Sequence, residues 1–231
     1  AHRRGRGRKP QARPLTTHRA DGPNQVWCWD ITWLPSTIKG RYFYWYMVKD
    51  IYSRKLVMNE VHEAESAEYA GVLLERACLR EGIRPETLVL HSDNGSAMKG
   101  ATMLAALRDL GVLPSFSRPR VSNDNAYAEA LFRTAKYCSR WPSLPFGSLD
   151  EARVWVMEFA AWYNNEHRHS ALKYVTPAQR HGGQDAAALK QRERVYEAAQ
   201  RGNPKRWAQG VRSWKLPSHV YLNREREQRA G

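Results

Sequence analysis

The chain has 231 residues, 42% of them apolar and 11% aromatic, enough to bury a sizeable core in one domain with at most a small appendage. Its 37 Lys+Arg against 23 Asp+Glu give a formal charge of +14, and it has no apolar run of about 18 residues, which excludes a helical membrane span. Cys28, Cys78 and Cys138 form no C-x-x-C pair, and the basic N-terminus lacks the apolar stretch of a secretory signal. A disulfide framework and a Cys-rich zinc module are thereby excluded, and a reducing cytoplasm is the expected setting.

The chain starts without Met and is expected to be a piece of a longer protein. Residues 1–22 are Arg/Gly/Pro-rich without apolar periodicity and are expected to form an extended basic arm. Order is expected from Val26, where VWCWDITWL (26–34) is too aromatic and β-branched for a loop and predicts a strand. Strands over 42–51 and 53–61 complete an antiparallel meander. The spacing of Tyr69, Val72, Leu73 and Ala77 predicts a helix over 66–81, stopped by Gly82. A short strand (87–91), a helix (101–110) and another strand (112–116) follow. Helices are predicted over 123–139 and 149–166, the second with Ser148 and Glu151 as a capping box. This order predicts an α/β fold, a mixed five-stranded sheet with helices on both faces. From 182 onward a basic extension is expected, holding one polar helix (186–200) and an Arg/Trp-containing segment.

The charge is unevenly distributed. Residues 1–20 carry seven basic and no acidic residues, and residues 190–231 carry eleven basic and four acidic. The segment between them is balanced, at 19 against 19 over 21–189. A neutral body with two cationic flanks predicts a nucleic-acid partner, in preference to tails that only confer solubility. Residues 1–20 and 190–231 would then supply most of the non-specific DNA affinity, with Trp207 and Trp214 either stacking on bases or sugars or packing on the core.

Three carboxylates stand out. Asp30 sits inside a strand among Trp27, Trp29, Ile31 and Trp33, where it must be neutralised by an Arg, a Lys or something else. Asp93 ends the apolar strand before Asn94-Gly95, which taken alone favours a turn former, although strand C-terminal ends are also where ligands bind in α/β sheets. Glu129 shares a helical face with Asn125, Arg133 and Lys136, and a plain Glu129–Arg133 surface pair is the ordinary alternative. On that count Tyr127, Ala130, Leu131, Thr134 and Cys138 would pack on the sheet. Taken together, three acids with few competing His or Cys suit Mg²⁺ or Mn²⁺. Two such ions roughly 3.5–4 Å apart serve phosphodiester displacement.

WCWDITWL, HSDNGS and NDNAYAEALFRTAK resemble the three acidic motifs of the DDE transposase and retroviral-integrase superfamily, with 35 residues between Asp93 and Glu129 and Lys136 seven positions after Glu129. With DIYSRKLV, SFSRPRVSNDN and WYNNEHRHSALKYVTPAQRH, the chain is similar to the catalytic, second-reading-frame proteins of bacterial insertion sequences over about 23–181. The resemblance implies a ribonuclease H-like core (23–181) between the basic arm and the basic extension (182–231). It implies Mg²⁺-dependent, or Mn²⁺-dependent, DNA cleavage and strand transfer, with Asp30, Asp93 and Glu129 as catalytic metal ligands for two ions. Lys136 and Arg133, together with Asn94, Arg118, Arg120 and Arg168, would contact DNA, and His91 would lie beside the site. Transposon ends and target DNA, a homo-oligomer in the synaptic complex and a nucleoid-associated bacterial location follow from the same likeness. The terminal-repeat-binding helix-turn-helix usual in such transposases has no counterpart before Val26, nor do these cysteines supply an integrase zinc module. An inactive DNA-binding regulatory relative and a ribonuclease H-type nuclease are the alternatives. His167 and His169, with His181, suit local hydrogen bonding better than zinc.

Overall fold

The computed structural model describes residues 16–119, 121–207 and 209–223. Strand β1 is His18–Ala20, β2 Val26–Pro35, β3 Tyr42–Asp50, β4 Leu56–His62, β5 Val89–Ser92, β6 Leu113–Phe116 and β7 Val220–Leu222. The helices are α1 Ala67–Glu81, α2 Ser96–Lys99, α3 Ala101–Asp109, α4 Ala126–Tyr137, α5 Leu149–Asn165, α6 Pro177–His181 and α7 Asp185–Gly202.

Five strands form one sheet in the order β4-β3-β2-β5-β6. The meander β2–β3–β4 is antiparallel, while β5 and β6 run parallel to β2. Both faces of the central strands are covered, so alternate side chains enter different cores. Val26, Cys28, Trp45 and Met47 pack with α4 and α5, whereas Trp27, Trp29, Tyr46 and Val48 pack with α1 and α3. Trp27, Trp29 and Trp45 are fully buried, and each such side chain contributes roughly 2–3 kcal/mol of hydrophobic stabilisation. The expected mixed sheet with helices on both faces is the observed one.

Local signals set several boundaries. Gly82 adopts φ 62° and its N–H reaches back to the Cys78 and Leu79 carbonyls, ending α1. The Ser148 hydroxyl accepts from the Glu151 N–H, but the Glu151 carboxylate takes the Gly147 N–H, one residue earlier than a capping box requires. The short α2 lies between the Asn94-Gly95 turn and α3.

Two differences from the sequence reading matter for the site. A strand, β1, stands before Val26, because it pairs antiparallel with β7, some 200 residues later, in the register Ala20↔Val220 and His18↔Leu222. Ala20 and Leu222 are both fully buried in the α4–α5 core. The extension is packed as well: Trp214 is 4% exposed against Leu172, Val175 and Leu189, and Trp207 lies edge-on to Tyr196 at 5.7 Å. Trp214 is therefore a core residue and not a free stacking platform. No helix among the described residues is long and apolar enough to cross a membrane.

Candidate active site

Asp30 and Asp93 are placed by strand register. β2 and β5 pair in parallel as Val26↔Val89, Trp27↔Leu90 and Cys28↔His91. Two residues further along each chain, where β5 gives way to the turn, stand Asp30 and Asp93. A crevice beyond the carboxyl ends of parallel strands is the usual ligand position in such sheets. Asp30 is half-buried, and one of its oxygens accepts the Ile31 N–H at 2.8 Å. The Asp93 carboxylate accepts the Gly95 N–H at 2.9 Å, so it does form the turn; a Cβ at Gly95 would come within 3.1 Å of it.

Glu129 is placed by the way α4 is pinned across β2. Ahead of the helix, the Asn125 amide donates to the Trp29 carbonyl at 3.3 Å, and near its end the Lys136 amine donates to the Thr32 hydroxyl at 3.0 Å. These contacts straddle Asp30 on the strand and Glu129 on the helix. The buried stripe of α4 is Ala128, Leu131, Phe132 and Ala135. This stripe is rotated from the expected one: Ala130 is exposed and Phe132 is inside. An i, i+3, i+4, i+7 stripe fits those four positions and leaves Glu129 beside the cleft. No ion pair joins Glu129 to Arg133 among the described residues, and both side chains are exposed.

Burial, then the negative charges of Asp93, Glu129 and Glu65, push the Asp30 carboxyl up to about 7, while the Ile31 N–H acts the other way. The three acids therefore share one electrostatic neighbourhood, and a carboxylate raised in this way calls for a cation. An all-oxygen donor set suits a hard divalent ion. Among the described residues no three acidic, His or Cys side chains stand close enough together to hold one. The donor chemistry fits a hard divalent ion, whereas the spacing of the side chains does not form a closed site.

The other expected site residues divide into two groups. Asn94 donates to the Ser117 carbonyl at 2.7 Å and accepts from Lys99, tying the β5 turn to the end of β6. Arg118 makes a bidentate pair with Asp124 at 2.9 Å, and its own N–H donates to the same carboxylate at 2.8 Å. That clasp fixes the loop leading into α4. His91 is fully buried between the Ser115 and Ser117 hydroxyls, and burial holds its imidazole down to about 4. It is a neutral structural bridge beside the site, held between the ends of β5 and β6. Arg168 is exposed on the loop after α5, 3.5 Å from Gln179. Arg120 lies outside the described residues.

Sequence reading missed the buttress behind α4. The Tyr127 hydroxyl donates to the Tyr221 carbonyl at 2.8 Å, and the Asn223 amide donates to the Asp124 carbonyl at 2.9 Å. His18 on β1 meets the Ser115 hydroxyl at 3.0 Å. The two chain ends thus hold the segment that presents Glu129. The third histidine, His181, bridges the Ser53 hydroxyl and Glu81, each at 2.9 Å. Although this resembles a catalytic triad, Ser53 is fully buried and donates to Asp50, so it is a structural clasp.

The description "Integrase core domain" matches residues 20–122 and again 110–177. The chain belongs to the integrase core family. Among curated relatives, the integrase core is 29% identical over 160 residues to the transposase for insertion sequence element IS904 of Lactococcus lactis subsp. lactis, covering 69% of this chain and 62% of that protein. It is 33% identical over 157 residues to the insertion element IS600 uncharacterized 31 kDa protein of Shigella sonnei, covering 68% and 56%. Transposase InsF for IS3A of Escherichia coli K12 is 31% identical over 162 residues, covering 69% and 54%. The integrase core thus spans little more than half the length of these relatives. Two solved structures show the fold. One is the simian T-cell lymphotropic virus intasome in complex with the PP2A regulatory subunit B56 gamma (TM-score 0.57, 21% identity, 76% of this chain and 60% of that one). The other is the HTLV-2 integrase catalytic core domain in complex with magnesium, in a trimeric form (TM-score 0.51, 19% identity, 69% and 97%).

Proposed function

We propose that this integrase core cuts and joins DNA strands at the ends of an insertion sequence, as a DDE-type transposase. The observation that carries the reading is that parallel pairing of β2 with β5 sets Asp30 on β2 beside Asp93 just past the end of β5, with the Glu129 helix pinned to β2. Asp30, Asp93 and Glu129 would hold Mg²⁺ or Mn²⁺, and two ions between them would neutralise charge on the attacking and leaving oxygens of a phosphodiester. The chain's own residues orient the substrate. Arg133 and Lys136 lie exposed on the same helix and would receive the DNA backbone, with Lys136 steadied by Thr32. Asn94 and Arg118 keep the strand-end turn and the α4 loop in place beside that backbone. Arg168, exposed on the loop after α5, would also meet DNA. Positioning and electrostatics carry the reaction, since phosphoryl transfer needs no covalent nucleophile from the protein.

The catalytic unit is 23–181, with the basic arm (1–22) and the extension from 182 bound to it through β1, β7 and the Trp214 cluster. Transposon ends and target DNA are the proposed substrates, and a second copy would be needed to pair two ends. The test is nicking of supercoiled DNA by the purified chain with Mg²⁺, with EDTA, and as Glu129→Gln. Metal-dependent nicking lost in the variant supports the reading, and nicking that survives both controls removes it.

A further inference from the structure

A second cluster of charge lies on the sheet face covered by α4, outside the acidic cleft. Lys49, near the end of β3, is 2% exposed. Among the described residues its amine makes one hydrogen bond, to the Tyr127 carbonyl at 3.0 Å, and it stands 5.9 Å from the centre of the Tyr163 ring. Arg54 stacks its guanidinium 4.2 Å over the Tyr127 ring, and its Nη1 is buried without a hydrogen-bond partner. It sits in the turn between β3 and β4 at φ 66°, a left-handed conformation that costs an L side chain roughly 1 kcal/mol. His169 accepts the Ala171 N–H on Nδ1, which leaves Nε2–H as its donor.

These three side chains line one pocket of about 230 Å³, together with Tyr127, Ala126 and Ala130 of α4, and no carboxylate lines it. Burial and the Arg54 charge hold the Lys49 amine down to about 8, with the Cys28 thiol acting the other way. Burial, then Lys49 and Arg54, hold His169 down to about 3. A buried amine and a partly buried guanidinium lining one pocket, with no carboxylate among the lining residues, are a costly arrangement unless an anion completes it. The pocket also abuts the first turn of α4, the positive end of its dipole. The volume suits a phosphate group with a little water and is smaller than a usual nucleotide-sized site.

We propose that Lys49, Arg54 and His169 form a phosphate-binding pocket beneath the first turn of α4, the turn that carries Glu129. Lys49 and Arg54 neutralise the bound group, and His169 donates from its neutral ring. The ligand is a phosphate group, carried either by a DNA strand end or as free phosphate. Occupancy ties the β3–β4 turn and the loop after α5 to the helix that carries Glu129. The pocket holds whether or not the acidic cleft is catalytic, because none of its residues belongs to that cleft.

The test is thermal unfolding and calorimetric titration of the full chain with inorganic phosphate, against sodium chloride at equal ionic strength and without divalent metal. Phosphate at ten times its dissociation constant should raise the wild-type Tm by roughly 3–6 °C over the chloride control. Arg54→Gln and Lys49→Met should each lose that rise and the calorimetric signal. Arg54→Gln retains a polar planar group at the pocket rim, so it keeps the test open if Lys49→Met folds poorly. No phosphate-specific rise in wild type, or an equal rise in Arg54→Gln, overturns the proposal. A 5′-phosphorylated single-stranded oligonucleotide that displaces phosphate, where its 5′-hydroxyl counterpart does not, assigns the pocket to DNA strand ends. Equal failure of both oligonucleotides to displace bound phosphate assigns it to free phosphate.

Discussion

Asp30→Asn should stabilise the metal-free protein, an unusual outcome for a site residue. Burial and the charges of Asp93, Glu129 and Glu65 raise the Asp30 carboxyl to about 7, from an ordinary value of 3.8. The folded protein therefore binds this proton more tightly than the unfolded chain does between those two values, and stability falls as pH rises through that window. A gap of about three units is worth up to roughly 4 kcal/mol at pH 8, and solvent reaching the half-buried carboxylate lowers this to about 2. Asn keeps the shape and can still accept the Ile31 N–H, so the variant removes the charge and little else. For a domain of this size, 2 kcal/mol raises Tm by roughly 4–8 °C. Thermal unfolding in EDTA should show that gap at pH 8 and almost none at pH 4. Excess Mg²⁺ should narrow it by stabilising only the wild type. Equal Tm values at pH 8, or a less stable variant, would refute the argument that the three acids repel one another.

Further outcomes follow from other parts of the structure. Burial raises the Glu81 carboxyl, but hydrogen bonds from His181 and Lys55 outweigh it and bring the group down to about 2. That stability is fully present above pH 4.5 and lost as pH falls toward 2. Glu81→Gln should cost about 2–3 kcal/mol at pH 7, and urea titrations of the two proteins should converge near pH 2. Trp214→Ala should cost about 3 kcal/mol in chemical denaturation, because it empties the small core of Leu172, Val175 and Leu189. Asp124→Ala frees Arg118 and should lower DNA joining severalfold with little change in overall helicity by circular dichroism, since only the loop before α4 loses its clasp. Deleting 190–231 should reduce thermal stability as well as the salt dependence of DNA binding, since β7 and Trp214 leave with the charge. Intact stability in that truncation would return the extension to a purely electrostatic role.

Much of this architecture is legible in the sequence because its signals are local. VWCWDITWL reads as a strand from its side chains alone, and Asp30 stands out because a carboxylate among tryptophans is expensive to bury. Gly82 and Ser148 mark helix ends through contacts within four residues of themselves. The parts that escaped notice depend on partners far along the chain. β1 and β7 are three residues each and become strands only by pairing across about 200 residues. The rotation of α4 is decided by Asn125 meeting Trp29 and Lys136 meeting Thr32, contacts that periodicity along one helix does not encode. His91 is polar beside a suspected site, yet two serines on neighbouring segments make it structural. Trp214 among basic residues has the composition of a nucleic-acid contact, and only the Leu172–Val175 turn and Leu189 on α7 reveal it as core.

The central claim is that Asp30, Asp93 and Glu129 converge on divalent metal. A crystal structure of the chain with Mn²⁺, read by its anomalous difference density, addresses this directly. The account predicts a peak within about 2.0–2.3 Å of carboxylate oxygens from Asp30 and Asp93, with Glu129 drawn toward it from its exposed position. A protein that takes up Mn²⁺ elsewhere, or leaves these three carboxylates apart at saturating metal, would contradict it.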